Sequence, residues 1–325
     1  MHKTKGIFLL TFLILLLPAV SQVRENIPLF RAEVNQVVIY TSVYNRDSQL
    51  VSGLTVEDFL VYEDKVEQEI VNFAQTDIPS SVGIVLDSSG SMRNKIGRVE
   101  QALELFLSFD NSQNEMFLIR FDDEVELEED FTRDIEDIKD AISNIIIKGG
   151  TALYDAIHLS ADKIAEGREP RKILLVFTDG EDKDSYYELE ELLDKVEETD
   201  CIIFIVAFLD TDLSEDKGFF GLFKSKKQEV REEISSLTDS TGGKAFFPNQ
   251  VEELDPIFRQ IAIELKNQYR ISYIPSNEDK DGSWRRISVQ VKNAEEKGLK
   301  VRAKKGYFSD GDKKTNVRRI QESGE

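Results

Sequence analysis

The chain has 325 residues with 40% hydrophobic content, enough for a main domain with its own core and a smaller second one. A formal net charge of -21 and a pI of about 4.7 exclude sequence-independent nucleic-acid binding, which requires clustered Lys and Arg. One cysteine and two histidines exclude an internal disulfide and a zinc site of His and Cys ligands.

Residues 1–21 have the features of a secretory signal peptide. An apolar run from Ile7 to Leu17 is followed by small residues around Ala19 and Ser21 that suit a cleavage site. The run is shorter than the roughly 20 residues needed to span a bilayer, so an uncleaved membrane anchor is the alternative. We therefore expect an exported protein, periplasmic or extracellular, that is membrane-anchored if the signal peptide is not cleaved.

Residues 22–76 form an N-terminal β-segment according to their composition. β-Branched and aromatic residues cluster in short runs that Asn, Asp and Gly separate, a pattern typical of strands and turns. The predicted strands are Val34–Tyr44, Phe59–Tyr62 and Ile70–Phe73.

Residues 81–266 alternate short apolar runs with longer amphipathic segments. This alternation predicts an α/β domain, a doubly wound and mostly parallel, Rossmann-like sheet with helices on both faces. The predicted strands are Val82–Leu86, Met116–Phe121, Ile173–Thr178, Ile202–Phe208 and Lys244–Phe247, with Glu124–Leu127 as an antiparallel edge strand. The predicted helices are Lys95–Phe109, Asp134–Asn144, Ala152–Glu166, Tyr186–Glu198, Val230–Thr238 and Val251–Asn267.

Two residue types with reactive side chains fall inside these elements. Cys201 opens a strand and His158 lies on a helix, with no Ser or Cys motif directed at it. We interpret both as structural residues.

Residues 267–309 form a C-terminal β-segment with the predicted strands Tyr269–Ile274, Trp284–Val291 and Leu299–Ala303. Neither flank has enough strands to cover a core alone, but together they supply about six. The flanks are therefore predicted to form one smaller β-sandwich into which the α/β domain is inserted. The polar tail, residues 310–325, is predicted to be disordered.

Three segments place oxygen ligands at the carboxyl edge of the predicted sheet. Asp87, Ser89 and Ser91 follow the first strand of the α/β domain, Thr151 follows two glycines, and Asp179 follows another strand. Ligands bind open α/β sheets at this edge. The alternative for the first segment taken alone is a helix N-terminal cap.

The pattern resembles the metal-ion-dependent adhesion site of the von Willebrand factor type A family, Asp-x-Ser-x-Ser with a Thr and an Asp on two further loops. The resemblance covers roughly residues 81–266. It implies that Ser89 and Ser91 bind the metal directly, that Asp87 and Asp179 act partly through water, and that Thr151 joins or withdraws with conformational state. The segments 53–59 and 298–308 narrow the resemblance to bacterial exported proteins related to this family. This narrower resemblance does not identify a ligand.

Mg²⁺ suits this ligand set because it is a hard ion that prefers oxygen and keeps exchangeable waters. Two carboxylates only balance its charge, so the ion stays electrophilic toward a carboxylate from outside. Mg²⁺ is therefore the expected cofactor, with Mn²⁺ or Ca²⁺ as alternatives.

Further acidic residues lie near these motifs. Asp155, pointing back toward the Gly149–Thr151 loop, and Glu181, Asp182 and Asp184 would enlarge an acidic rim or contact a second cation, but helix caps or solvated surface are favoured. The acidic stretch 122–130 is predicted to be a solvated edge hairpin, since it lacks the spacing of a Ca²⁺ loop.

An apolar and basic insertion, residues 217–227, follows the strand that ends near Leu209. Phe219, Phe220 and Phe223 would contact a partner or make a peripheral membrane contact with anionic lipid. The alternative is a loop that packs these rings on its own domain.

The sequence indicates a binding protein rather than an enzyme, one that captures an acidic group of a protein partner and does not bind nucleic acid. An envelope assembly component that uses the same site within an oligomer is an alternative. A metal-dependent hydrolase is disfavoured because no general base and no nucleotide-binding loop is evident. By resemblance to the family, a shift of the helix Val251–Asn267 would couple the metal site to the β-segment that follows.

Overall fold

The computed structural model describes residues 36–75, 77–108, 113–180, 182–209 and 226–309. The predicted signal peptide, the tail 310–325, Glu181 and the insertion with Phe219, Phe220 and Phe223 lie outside these ranges, except that Lys226 and Lys227 begin a helix. No helix within the described ranges is long and apolar enough to cross a membrane.

The described elements alternate in type only in the middle of the chain. The strands are β1 Val37–Tyr44, β2 Phe59–Glu63, β3 Val66–Gln68, β4 Ile70–Gln75, β5 Ser80–Asp87, β6 Glu115–Phe121, β7 Val125–Thr132, β8 Arg171–Thr178, β9 Cys201–Ala207, β10 Lys244–Phe246, β11 Tyr269–Tyr273, β12 Trp284–Val291, β13 Lys300–Arg302 and β14 Gly306–Phe308. The α-helices are α1 Ile96–Ser108, α2 Ile135–Ser143, α3 Leu153–Ala165, α4 Leu189–Glu198, α5 Lys226–Thr241, α6 Leu254–Asn267 and α7 Ala294–Lys297.

The central sheet has the strand order β10-β9-β8-β5-β6-β7, parallel except for the edge strand β7. Alternate residues of its inner strands enter two separate cores. Ile84 and Leu86 of β5 pack with α1, α2 and α6, whereas Val85 packs with α3, α4 and α5. Burial on both faces explains why these strands are continuous apolar runs. The predicted doubly wound α/β fold is confirmed.

The flanks form two antiparallel sheets that share one core. Their strand orders are β13-β1-β11-β4 and β14-β12-β2-β3, so each sheet takes strands from both ends of the chain. Ile39 and Ile271 from one sheet and Val61 and Ile287 from the other lie in the same buried cluster. The predicted sandwich with the α/β domain inserted is therefore confirmed. Strands β3 and β14 are additions to the predicted set.

Helix α4 begins three residues later than the sequence predicts. The backbone N–H groups of Tyr186 and Tyr187 donate to the Asp155 carboxylate at 2.9 to 3.0 Å, which takes both residues out of the helix. Glu188 then caps α4 reciprocally with Glu191. The periodic pattern continues through this cap, so it predicts a helix that is too long.

A buried ion pair joins the last helix of the α/β domain to the sandwich. Glu264 of α6 is fully buried; it accepts a hydrogen bond from the Ser42 hydroxyl at 2.8 Å and pairs with Arg302 of β13. The Arg302 guanidinium also lies 5.0 Å from the ring centroid of Tyr44. Helix α6 passes into β11 with only Gln268 between them.

Candidate functional site

The carboxyl ends of β5 and β8 bring Asp87 and Asp179 together. These strands are parallel neighbours, with Leu86 opposite Phe177, so both chains leave the sheet at the same edge. The Thr178 hydroxyl donates to Asp87 Oδ2 at 2.8 Å, and the Asp179 backbone N–H approaches the same oxygen at 3.3 Å. The sequence indicated both carboxylates but not Thr178, whose position as the last residue of its strand was the available signal.

The turn after β5 brings the two serine hydroxyls together. The Ser89 backbone N–H donates to Asp87 Oδ1 at 2.8 Å, and the oxygens of Ser89 and Ser91 are 3.1 Å apart. Ser89 is buried and Ser91 is exposed. A short 3₁₀ turn, Gly90–Asn94, begins here, and the Ser89 hydroxyl does not cap it. The alternative interpretation of this segment as a helix cap is therefore wrong for Ser89.

Thr151 joins this group through its loop rather than through its side chain. The Lys148 N–H donates to the Ser88 carbonyl at 3.0 Å, and the Gly90 N–H lies 3.4 Å from the Gly149 carbonyl. Thr151 itself is only 3% exposed. Among these five described residues, its hydroxyl makes no hydrogen bond to the other four. The structure thus links Asp87, Ser89, Ser91 and Asp179 directly, and Thr151 through the neighbouring backbone.

The environment of Asp87 suits a cation. Burial raises the pKa of its carboxyl to about 6; hydrogen bonding from Ser89 opposes the rise, and the nearby charge of Asp179 adds to it. Within the described ranges, no Lys or Arg forms an ion pair with Asp87 or Asp179. Buried carboxylates are ordinarily paired or bound to a metal.

The oxygen atoms that meet here limit the type of ion that this edge could hold. Within the described part of the chain, no three His, Cys, Asp or Glu side chains are grouped so that they could hold a metal. A cation bound here would need the hydroxyls of Ser89 and Ser91 beside the two carboxylates. An all-oxygen set of this kind fits a hard divalent ion and not zinc.

The neighbouring acidic residues serve the loops. Asp182 accepts the Tyr154 N–H at 3.2 Å, Asp184 accepts the Thr151 N–H at 2.8 Å, and Asp155 binds the loop after β8 instead of the Gly149–Thr151 loop. Burial raises the pKa of Asp182. Asp182 therefore caps the first turn of α3, as the favoured interpretation holds, whereas Asp155 and Asp184 bind backbone N–H groups outside the helices.

The predicted edge hairpin is present, but it is not solvated throughout. Arg120 is buried and forms ion pairs with Asp122 at 2.8 Å, Glu126 at 2.5 Å and Glu128 at 2.6 Å. Asp122 is fully buried and also accepts the Glu124 N–H at 2.9 Å. The single basic residue of the hairpin organises the acids around itself, which composition alone did not reveal.

Comparison with known proteins adds an independent observation. Residues 82–181 match the family model described as von Willebrand factor type A domain. No curated protein matches the sequence.

Solved structures with some likeness to this chain include several bacterial proteins. The von Willebrand factor type A protein from Catenulispora acidiphila is 13% identical, with 88% of this chain and 76% of that chain covered and a TM-score of 0.49. The von Willebrand domain of the type V pili tip protein Mfa5 from Porphyromonas gingivalis is 12% identical, with 59% and 98% covered and a TM-score of 0.44.

A mutant of the PilB minor pilin from Streptococcus sanguinis is 12% identical, with 59% of this chain covered and a TM-score of 0.46. The likeness spans 62% of that pilin chain, less than two thirds of its length. At such identities a likeness does not extend to function.

The family match runs from β5 to just beyond β8 and contains Asp87, Ser89, Ser91, Thr151 and Asp179. It confirms the resemblance seen in the sequence. This part of the chain is therefore a von Willebrand factor type A domain.

Proposed function

We propose that this chain is an exported binding protein that holds a divalent cation, preferably Mg²⁺. The residues that would hold the cation are Asp87, Ser89, Ser91, Thr151 and Asp179. The cation would accept a carboxylate from a protein partner. Domains of this family are often involved in protein–protein interaction and adhesion. Export rests on the signal-peptide pattern of residues 1–21.

The observation that carries the proposal is the burial of Asp87 next to Asp179 with no basic partner among the described residues. An unpaired buried carboxylate destabilises a fold, and a bound cation would remove this cost. The cation would supply an electrophilic centre for an outside carboxylate. The chain's own groups would orient it: Thr178 and the Ser89 N–H fix the Asp87 carboxylate, and the Ser89–Ser91 contact gathers the hydroxyls.

Binding, rather than catalysis, fits the neighbourhood of the site. His158, the histidine within the described ranges, stacks on Tyr187 with 3.9 Å between ring centroids. The carboxylates beside Thr151 already accept backbone N–H groups, Asp184 that of Thr151 and Asp182 that of Tyr154. Neither the histidine nor these carboxylates are therefore available as the general base that metal-assisted hydrolysis needs.

Isothermal titration calorimetry with Mg²⁺ and Mn²⁺ tests the proposed site. Wild type is expected to take up one cation per chain, and Ser89→Ala is expected to weaken affinity at least about tenfold by removing a ligand oxygen. Glu67→Gln, on the exposed strand β3, is the matched control and should bind as wild type does. A folded wild-type chain that takes up no cation would rule out the metal site.

A pull-down from envelope extract tests the partner's chemistry. Wild type with Mg²⁺ should retain a protein that wild type with EDTA and Ser89→Ala with Mg²⁺ both release. Amidation of the carboxylates in the extract with a carbodiimide and glycinamide should abolish this retention. Retention that survives amidation would contradict capture through an acidic group.

A further inference from the structure

Helix α3 starts without a side-chain cap of its own. Its N-cap residue is Ala152, which can offer no hydrogen bond to the free N–H groups of the first turn. The loop after β8 supplies acceptors for these N–H groups from another part of the chain. Asp182 accepts the Tyr154 N–H at 3.2 Å, and the Ser185 hydroxyl accepts the Asp155 N–H at 3.1 Å.

The attachment is reciprocal. The Asp155 carboxylate, from the first turn of α3, accepts the N–H groups of Tyr186 and Tyr187 at 2.9 to 3.0 Å. The Ser185 hydroxyl also donates to Asp182 Oδ1 at 2.6 Å. Loop and helix therefore hold each other, and the position of one fixes the position of the other.

Thr151 lies at the centre of this attachment. Its carbonyl accepts the N–H groups of Lys183 at 3.0 Å and Asp184 at 3.2 Å, and its own N–H donates to Asp184 Oδ2 at 2.8 Å. Both backbone polar groups of Thr151 are thus bound by two consecutive residues. With the backbone held in this way, the hydroxyl can occupy only the positions that side-chain rotation allows.

The approach of Asp184 depends on the glycine before Thr151. A Cβ at position 150 would overlap Asp184 Oδ2, so any larger residue there must displace the carboxylate. Each of the two glycines before Thr151 leaves space for a neighbouring carboxylate. Gly149, which adopts a φ of 72° that L-residues rarely adopt, lies against Asp123, and Gly150 lies against Asp184.

We propose that Asp184 is a positioning residue for the divalent cation, acting through its hydrogen bond to Thr151 and not as a ligand. This inference rests on the proposed metal site. Asp184 holds the Thr151 backbone where the hydroxyl can reach the cation, and Gly150 keeps the place of the Asp184 carboxylate free. A supporting contact of this kind typically changes metal affinity by about 10- to 100-fold.

Mg²⁺ titration calorimetry on the full chain separates position from charge. Asp184→Ala should weaken affinity about tenfold or more. Asp184→Asn should keep most of it, because its amide oxygen still accepts the Thr151 N–H although the charge is gone. Gly150→Ala, which displaces the carboxylate, should resemble Asp184→Ala. Glu190→Ala, an exposed carboxylate close by in the chain, is the control and should bind as wild type does.

A double-mutant cycle with Thr151→Ala shows whether the effect passes through Thr151. Asp184→Ala should cause little further loss of affinity in that background, since the group that it positions is already absent. Amide exchange measured in EDTA gives a metal-free readout. The Thr151 N–H should exchange faster in Asp184→Ala while the melting temperature stays close to wild type.

Each contrary result overturns a defined part of this inference. Equal losses in the Ala and Asn variants would show that charge, and not position, is what matters, and an undiminished loss in the Thr151→Ala background would rule out action through Thr151. Unchanged affinity in Asp184→Ala, with wild type binding Mg²⁺, would overturn this inference alone. No Mg²⁺ uptake by wild type would overturn the proposed function together with it.

Discussion

His158 shows how a titratable residue on the α/β domain serves packing. It lies on α3, and its ring stacks on Tyr187 with an interplanar angle of 9°. Burial lowers the pKa of the imidazole below its usual 6.5, and the charge of Lys195 lowers it further against the opposing effects of Asp162 and Asp155. The neutral ring is therefore the form that the fold favours.

The His158 titration midpoint, followed by NMR, is expected to lie below pH 6.5. Because the unfolded chain would bind the proton first, the stability gained from the neutral ring is present above pH 6.5 and is lost as the pH falls through the lowered folded-state pKa. The signal that disappears in His158→Gln identifies the resonance. A midpoint at or above 6.5 would show that the ring is more solvated than the stack implies.

At the residue level, the sequence predicts which side chains meet at the sheet edge better than it predicts their hydrogen-bond partners. Asp87 and Asp179 were predictable because each follows an apolar run that must end at the same sheet edge. The contact from Thr178 to Asp87 and the burial of Asp122 beside Arg120 were not, because they depend on which strands are neighbours. Strand order is a property of the assembled sheet.

Helix α6 is tied to the sandwich by charge as well as by chain continuity. Glu264 is fully buried, and its partners Ser42 and Arg302 come from β1 and β13. Arg171, from β8, donates to the Leu265 carbonyl near the end of the same helix at 2.5 Å. A movement of α6 along its axis would break contacts on both sides.

Removing one member of the buried ion pair should be costly. Glu264→Leu leaves the Arg302 charge without its carboxylate and is expected to lower the free energy of unfolding by about 3–5 kcal/mol. The double variant Glu264→Leu/Arg302→Met should recover most of that loss, because neither charge is then left buried. Urea denaturation followed by circular dichroism measures both.

Glu136→Gln provides the comparison, because Glu136 and Lys139 form an ion pair on the surface between residues about one helical turn apart. It should cost no more than about 0.5 kcal/mol. A single Glu264 variant as mild as this control would mean that the buried pair does not couple the helix to the sandwich.

At the element level, the periodicity that predicts helices does not mark their first residues. The apolar spacing predicted α4 from Tyr186, but the hydrogen bonds to Asp155 hold that residue in the preceding loop. Strands β3 and β14, each three residues long, are too short for a period of two to stand out. Their existence depends on the longer strands β2 and β12 beside them.

At the scale of the whole molecule, the β-sandwich is completed by strand pairing between the N-terminal and C-terminal flanks. Strand β1 lies between β11 and β13, and β2 pairs with β12. Half of the strands in each sandwich sheet therefore come from beyond the α/β domain. The sequence allowed this arrangement to be predicted because neither flank alone had enough strands, but the pairing order could not be read from composition.

A chain that ends at Asn267 should keep the α/β domain and lose the sandwich. Limited proteolysis is expected to cut within residues 37–75 of the shortened chain and to spare that segment in the full chain, because β1 and β2 lose their neighbours. Mass spectrometry of the fragments locates the cuts. Protection of residues 37–75 in the shortened chain would mean that the N-terminal flank folds without its partner.

The closure of the sandwich also sets a time order during synthesis. The Gln36 side chain donates to Ser272, which lies 236 residues further along the chain. At ribosomal speeds of about 5–20 residues per second, roughly 10 to 50 seconds separate the appearance of these partners. The early strands must wait in that interval with bare edges that invite pairing between nascent chains. The nascent chain is therefore expected to be more prone to aggregation during synthesis than one whose neighbouring strands emerge together.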